Sequence, residues 1–185
     1  MGRFSLSQKV RETTPVRYFT IVRHAKAEKA TSGQGDFDRK LNDRGKRQCE
    51  QLRAWASDVS ELGLYGPTTA LVSAAARTRE TFRRAFDGTP FVTERVFSEL
   101  IYNGQRDVSA EDALIELAAI DPVTTSLLVL GHNPTVLELL CSLVPELPRS
   151  LREGFPLAGA YVLAVPEDHQ IGLARYDLVA RYVPD

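Results

Sequence analysis

Arg17-Tyr18-Phe19-Thr20-Ile21-Val22-Arg23-His24-Ala25-Lys26 begins as a run of aromatic and β-branched residues and ends on charge and a histidine. The run predicts a β-strand, because branched and ring side chains fit a pleated, half-buried surface. Downstream, a loop carrying Gly33, Gly35, Asp36 and Asp38 leads to an amphipathic helix over about 43–59, where Cys49, Leu52, Ala56 and Val59 recur at helical spacing. Thr69-Ala70-Leu71-Val72-Ser73 predicts a short buried strand, and 74–86 a helix. A strand over 91–96 and a helix over 110–120, closed by Asp121-Pro122, come next. The very apolar strand 126–130 and a helix over 134–143 follow. Two last strands, 160–165 and 170–179, are joined by Pro166-Glu167-Asp168-His169 read as a hairpin turn. Alternating strands and helices predict an α/β fold: a single three-layer α/β/α domain over 17–185 with a mostly parallel central sheet, made mixed by the final hairpin. Residues 1–16 are polar and basic and are expected to form a flexible N-terminal arm.

A chain of 185 residues can bury a sizeable core in one domain. Its formal net charge of -1 gives no global attraction to nucleic acid or to an anionic membrane surface, so neither is expected as a partner. No stretch approaches the roughly 18 apolar residues that a membrane span needs. Cys49 and Cys141 lie far apart and form no metal-spaced cluster. Both are expected to be reduced packing residues, which fits a cytoplasmic protein.

In open α/β sheets the site gathers beyond the carboxyl ends of the strands. Three segments set polar residues there: Arg23-His24 after the first strand, Ser73 through Arg77-Thr78 after the second, and Gly131-His132-Asn133-Pro134 after the fourth. Of the three histidines, His24 and His132 occupy such ends, whereas His169 reads as a solvated turn residue. Asn133 is a favourable N-cap and Pro134 a favourable first helical residue, so a helix starting there would aim backbone N–H groups at an anion beside His132. Ser73 is a candidate cap for the helix that carries Arg77. Arginine forks bind two phosphate oxygens at once and remain charged. Two arginines, two histidines and helix N-termini around one concavity therefore predict a phosphate site. No carboxylate cluster has metal-ligand character, so neither a metal nor a cofactor is expected.

Taken together and in order, Arg23-His24-Ala25, Ser73 with Arg77-Thr78 and Thr81, and Gly131-His132-Asn133-Pro134 resemble the histidine phosphatase (phosphoglycerate-mutase-like) superfamily, and more narrowly its short SixA-type phosphohistidine phosphatase branch. The stretch from Arg39-Lys40-Leu41 through Gly45 to Gln48 is similar to the loop and helix start that follow the first motif in that family. The likeness runs from about Tyr18 to about Val165. It implies that His24 is the nucleophile that becomes phosphorylated and that Arg23, Arg77 and His132, with Asn133 beside them, bind the phosphate. Ala25 stands where the wider superfamily prefers glycine, and Ala74 where proline commonly follows the serine. Glu99 falls approximately where the superfamily carries its acidic proton donor; read by itself, it is a surface glutamate near a strand end, and both readings stand. Asp36, Asp38 and Glu28 are read as loop solvation and capping residues.

Only 55 positions separate Arg77 from His132, which leaves no room for a large cap over the site. An open, shallow pocket suits a phosphoryl group presented on a protein better than a buried small metabolite. The expected activity is hydrolysis of protein phosphohistidine through a phosphohistidine intermediate. A phosphatase acting on a small phosphoester is the alternative, and a non-catalytic phosphate-binding module, which would have no use for a nucleophile, is the second.

Overall fold

The computed structural model describes residues 16–64, 66–102, 104, 107–120, 126–147, 151, 154–167 and 169–184. The expected N-terminal arm therefore lies outside the described residues except for Val16, which opens the first strand. The elements run β1 (Val16–Arg23), a 3-10 turn (Asp36–Asp38), α1 (Asp43–Glu61), β2 (Thr68–Ser73), α2 (Ala76–Ala85), β3 (Val92–Ser98), α3 (Ala110–Ile120), β4 (Ser126–Gly131), α4 (Thr135–Leu143), β5 (Ala160–Pro166) and β6 (Asp177–Tyr182).

Strand order across the six-stranded sheet is β3-β2-β4-β1-β5-β6. β3, β2, β4 and β1 are mutually parallel, whereas β5 pairs antiparallel with both β1 and β6. The mixed, mostly parallel sheet is as the sequence predicts. Alternation along the strands sorts the core into two layers. Val22, Ala70, Val72, Leu128, Leu130 and Val162 meet Cys49, Leu52 and Phe82 of α1 and α2 on one face. Ile21, Leu71, Leu127, Val129 and Tyr161 meet Leu117, Leu139 and Leu140 of α3 and α4 on the other. Strands buried on both faces read as continuous apolar runs, and β4 does so throughout.

Two expectations are corrected here. The last strand begins at Asp177, not near 170. A turn does follow β5, with the His169 N–H donating to the Pro166 carbonyl, but Ile171 and Tyr176 are buried against the α3/α4 layer instead of pairing in the sheet. Their apolar character mimics strand alternation while serving the core. Cys49 is buried as expected, but Cys141 is exposed. α4 packs through Val136, Leu139, Leu140 and Leu143, and helical geometry turns position 141 outward.

Candidate active site

Register explains why residues far apart in sequence meet. Arg23 of β1 pairs with Gly131 of β4, so His24 and His132 leave adjacent parallel strands side by side. Their ring centroids are 5.0 Å apart. Val72 pairs with Leu130, which brings Ser73 to the other flank of His132, with Ser73 Oγ 2.8 Å from His132 Nε2. The backbone at His24 is held on both sides: its N–H donates to the Gly131 carbonyl at 3.2 Å, and its carbonyl accepts from Ala158 N–H at 3.1 Å. The next amide, Ala25 N–H, donates to Thr81 Oγ1 of α2 at 3.1 Å. That bond couples the end of β1 to the helix that presents Arg77.

The ring atoms are assigned by their partners. His24 Nδ1 lies 2.7 Å from the Ala25 carbonyl oxygen, which can only accept. Nδ1 therefore carries the proton in the neutral ring, and Nε2 keeps its lone pair. Burial above all, with the positive charges of Arg77, Arg23 and Arg39, holds the His24 pKa down to about 3, although the bond to the Ala25 carbonyl raises it. Burial is again the chief cause for His132, reinforced by His24 and Arg77, and lowers its pKa to about 2. The Ser73 hydroxyl can donate to or accept from His132 Nε2, and when it donates the ring proton sits on Nδ1.

Two guanidiniums and the His132 ring surround His24. The Arg23 Nη1 donates to the Phe155 carbonyl at 2.6 Å, and the Arg77 Nη1 and Nη2 donate to the Asp36 carbonyl at 2.7 Å and to its Oδ2 at 3.0 Å. Those bonds fix the guanidiniums, yet both Nε atoms and His132 Nδ1 are buried without a protein partner among the described residues. Buried polar atoms are nearly always paired, so these three are exceptions that belong to residues around His24. Arg23, His24, Arg77, His132 and Asn133 line one cavity of about 240 Å³ together with Lys26, Ala27, Arg39 and Leu157. Its size suits a phosphoryl group, and among the described residues no carboxylate lines it.

Several residues take roles other than those expected. Ser73 does not cap α2, whose N-cap is Ala75; its hydroxyl meets His132 instead. α4 starts at Thr135 with Pro134 as N-cap, one residue later than expected. Its Val136 and Leu137 N–H groups bond to the His132 and Pro134 carbonyls, so these two amides are not free for an anion. Asp36 is no mere loop-solvating residue. Its carboxylate accepts from Arg77, Arg39 and, at 2.8 Å, from the Tyr102 hydroxyl. Desolvation, the largest single influence, raises the Asp36 pKa, but these hydrogen bonds and the Arg77 charge together bring it down to about 2. Glu99 is exposed just beyond β3 and lies outside the cavity. Glu28 and Asp38 are exposed, as is His169. The parts of Arg39 and Tyr102 do not follow from the sequence reading; the basic pair at 39–40, directly after the acidic turn, is the signal for Arg39.

The resemblance of the 39–48 stretch has a physical basis. Lys26 N–H donates to Gln48 Oε1 at 3.0 Å, and the Lys26 carbonyl accepts from Asn42 N–H at 3.1 Å. α1 thus docks its first turns on the backbone two residues past His24. A Cβ at Gly45 would sit 2.1 Å from the Lys26 carbonyl oxygen, so only glycine permits the approach.

Comparison with known proteins agrees with this geometry. The sequence profile of the histidine phosphatase superfamily (branch 1) matches residues 19–114. Among solved structures, the chain is similar to the putative phosphohistidine phosphatase SixA from Agrobacterium tumefaciens, with 29% identity and a TM-score of 0.71, covering 91% of this chain and 98% of that one. It is likewise similar to the putative SixA from Nakamurella multipartitia, with 25% identity, a TM-score of 0.69 and coverage of 94% and 99%. A protein histidine phosphatase SixA complexed with tungstate shares the fold at 18% identity and a TM-score of 0.68, over 89% of this chain and 96% of that one. No curated protein matches the chain in sequence. The profile match spans more than half of the chain, over the strands and helices that carry Arg23, His24 and Arg77, and the chain belongs to the histidine phosphatase superfamily.

Proposed function

We propose that this phosphatase hydrolyses phosphohistidine on proteins in the cytoplasm, without a metal, through a phosphoryl group carried on His24. The observation that carries the reading is a neutral His24 whose Nε2 keeps its lone pair, in a small cavity that Arg23, Arg77 and His132 also line. Nε2 attacks phosphorus in line while Arg23, Arg77 and His132 hold the equatorial oxygens. The P–N bond to the substrate breaks as the substrate ring, protonated on its other nitrogen, departs as neutral imidazole. Water then attacks phosphorus, the bond to His24 breaks, and inorganic phosphate leaves. An alkyl phosphate would have to expel an alkoxide and would need a proton donor, typically worth about 100- to 10000-fold. Among the described residues the cavity lining is basic and carries no carboxylic acid, which supports phosphohistidine over a small phosphoester. Its similarity to structures named as putative phosphohistidine phosphatases points the same way.

Brief exposure to labelled phosphohistidine peptide followed by denaturation should leave acid-labile, base-stable label on His24, and His24→Ala should take no label and lose turnover. Label on Ser73, or on no residue, would overturn the assignment. Exhaustive chelation should leave the rate unchanged. Glu99→Gln should alter phosphohistidine turnover by no more than about twofold; a loss of about 100-fold on an alkyl phosphate alone would mark Glu99 as the proton donor, and equal, small losses on both would leave it a surface residue.

A further inference from the structure

A groove of about 630 Å³, larger than the catalytic cavity, lies beside it. Lys40, Lys46, Arg79, Arg83, Arg84 and Arg95 line it, against three acidic side chains, Glu28, Glu80 and Asp87. Two of those acids are engaged within the protein: Glu80 accepts from Arg84 Nε at 2.9 Å and from Leu41 N–H at 3.0 Å, and Asp87 pairs with Arg95 at 2.8 Å. Lys40, Arg79 and Arg83 have no ion-pair partner among the described residues. The groove is thus strongly cationic in a chain whose net charge is -1. Its floor is apolar. Phe97 is 38% exposed, and the Arg79 guanidinium sits 4.8 Å from the Phe97 ring centroid.

Groove and catalytic cavity share one wall. Segments 26–28 and 40–42 pair as a short antiparallel ribbon, with Glu28 N–H donating to the Lys40 carbonyl at 2.9 Å. On that ribbon Ala27 and Arg39 face the cavity while Glu28 and Lys40 face the groove, and on α2 Arg77 faces the cavity while Ala76 and Arg79 face the groove. A chain segment lying in the groove therefore ends against the catalytic wall. We infer that the groove binds an acidic segment of the substrate protein, carboxylates on Lys40, Arg79 and Arg83 and apolar groups on Phe97, and so selects phosphohistidine in an acidic protein context. The inference rests on the phosphohistidine reading only for what carries the segment; the cationic groove itself is independent of it.

The test uses the full chain and the variant Lys40→Glu/Arg83→Glu, both exposed positions, with Lys40→Ala/Arg83→Ala as a milder pair. A short fluorescent Glu/Asp-rich peptide without phosphate should bind wild type, weaken with added salt, and lose about tenfold in affinity in the charge-reversed pair, less in the alanine pair. kcat/KM on phosphohistidine within an acidic peptide should fall by a similar factor through KM, while turnover of phosphoramidate, which has no flanking charge, stays within about twofold. Equal peptide affinity in wild type and variant overturns the groove, and so does a single-stranded oligonucleotide of equal charge that binds as tightly as the peptide. Peptide binding that depends on Lys40 and Arg83, without any phosphohistidine turnover, would keep the groove and defeat the proposed function. Phosphohistidine turnover that is indifferent to both substitutions would keep the function and defeat the groove.

Discussion

His24 and His132 differ from each other only in which ring nitrogen the fold engages. The Ala25 carbonyl takes the Nδ1 proton of His24 and leaves Nε2 its lone pair; the Ser73 hydroxyl engages Nε2 of His132, and under the proposed function Nδ1 is then the donor. Ser73 is thus a positioning residue that acts through His132. Ser73→Ala releases Nε2, and the ring can then carry its proton on either nitrogen. Complete loss of an oxyanion donor typically costs about 100- to 1000-fold in rate, so partial loss should lower kcat by about 10-fold with little change in KM. The ¹⁵N shifts of the His132 ring should report a mixed tautomer, and Ser73→Thr should restore both readouts. Unchanged kcat with an unchanged tautomer would reduce Ser73 to packing. The residue types at the strand ends were legible in sequence, because Arg23, His24, Arg77 and His132 follow apolar runs directly. Ser73 and Asp36 were not, since their partners are 59 and 41 positions away and are set by strand register and by the path of a loop.

At the scale of elements, the buried strands and the helices were readable to within about two residues, because apolar period and length agree in each. The final strand was not, because a run of scattered apolar residues does not reveal whether it pairs in a sheet or packs on one. Equally invisible was the docking of α1, which depends on a missing side chain. Gly45 lies in the first turn of α1 and meets the Lys26 backbone, a rigid neighbour that cannot swing aside. Gly45→Ala should force α1 and the 24–27 segment apart. Overpacking of this kind typically costs about 1–3 kcal/mol, read as a lower urea midpoint. Activity should fall further than stability does, because the displaced backbone also carries the Ala25 carbonyl that sets the His24 tautomer. Were kcat to hold while the midpoint dropped, the ribbon would be a stability device with no grip on the nucleophile.

For the molecule as a whole, the sheet buries two imidazoles among arginines, and the consequence is a dependence of stability on acid. In the unfolded chain both histidines titrate near 6.5. In the folded protein burial and neighbouring cations hold His24 to about 3 and His132 to about 2. Between these values the unfolded chain binds protons that the native state refuses. Stability is therefore complete above about pH 6.5 and declines as the pH falls from there toward the folded values, with the unfolded state favoured at every step. Asp36 acts in the same direction but in a lower window: its folded pKa of about 2 lies below the ordinary 3.8, so its contribution persists until the pH drops below that ordinary value. The two windows separate the groups experimentally. Urea midpoints should be level from pH 8 to 7, fall clearly between 6.5 and 5, and fall more steeply below 4. His132→Asn, which removes one buried imidazole, should flatten the upper part of the decline without touching the lower, and Asp36→Asn should do the reverse. Activity measured on phosphoramidate should not follow a protonation step near 6.5, because the nucleophile stays neutral there while the fold survives. A midpoint that stays level down to pH 5 in the wild-type protein would mean that the two rings titrate alike in both states, and the buried, neutral pair at the centre of this site would have to be abandoned.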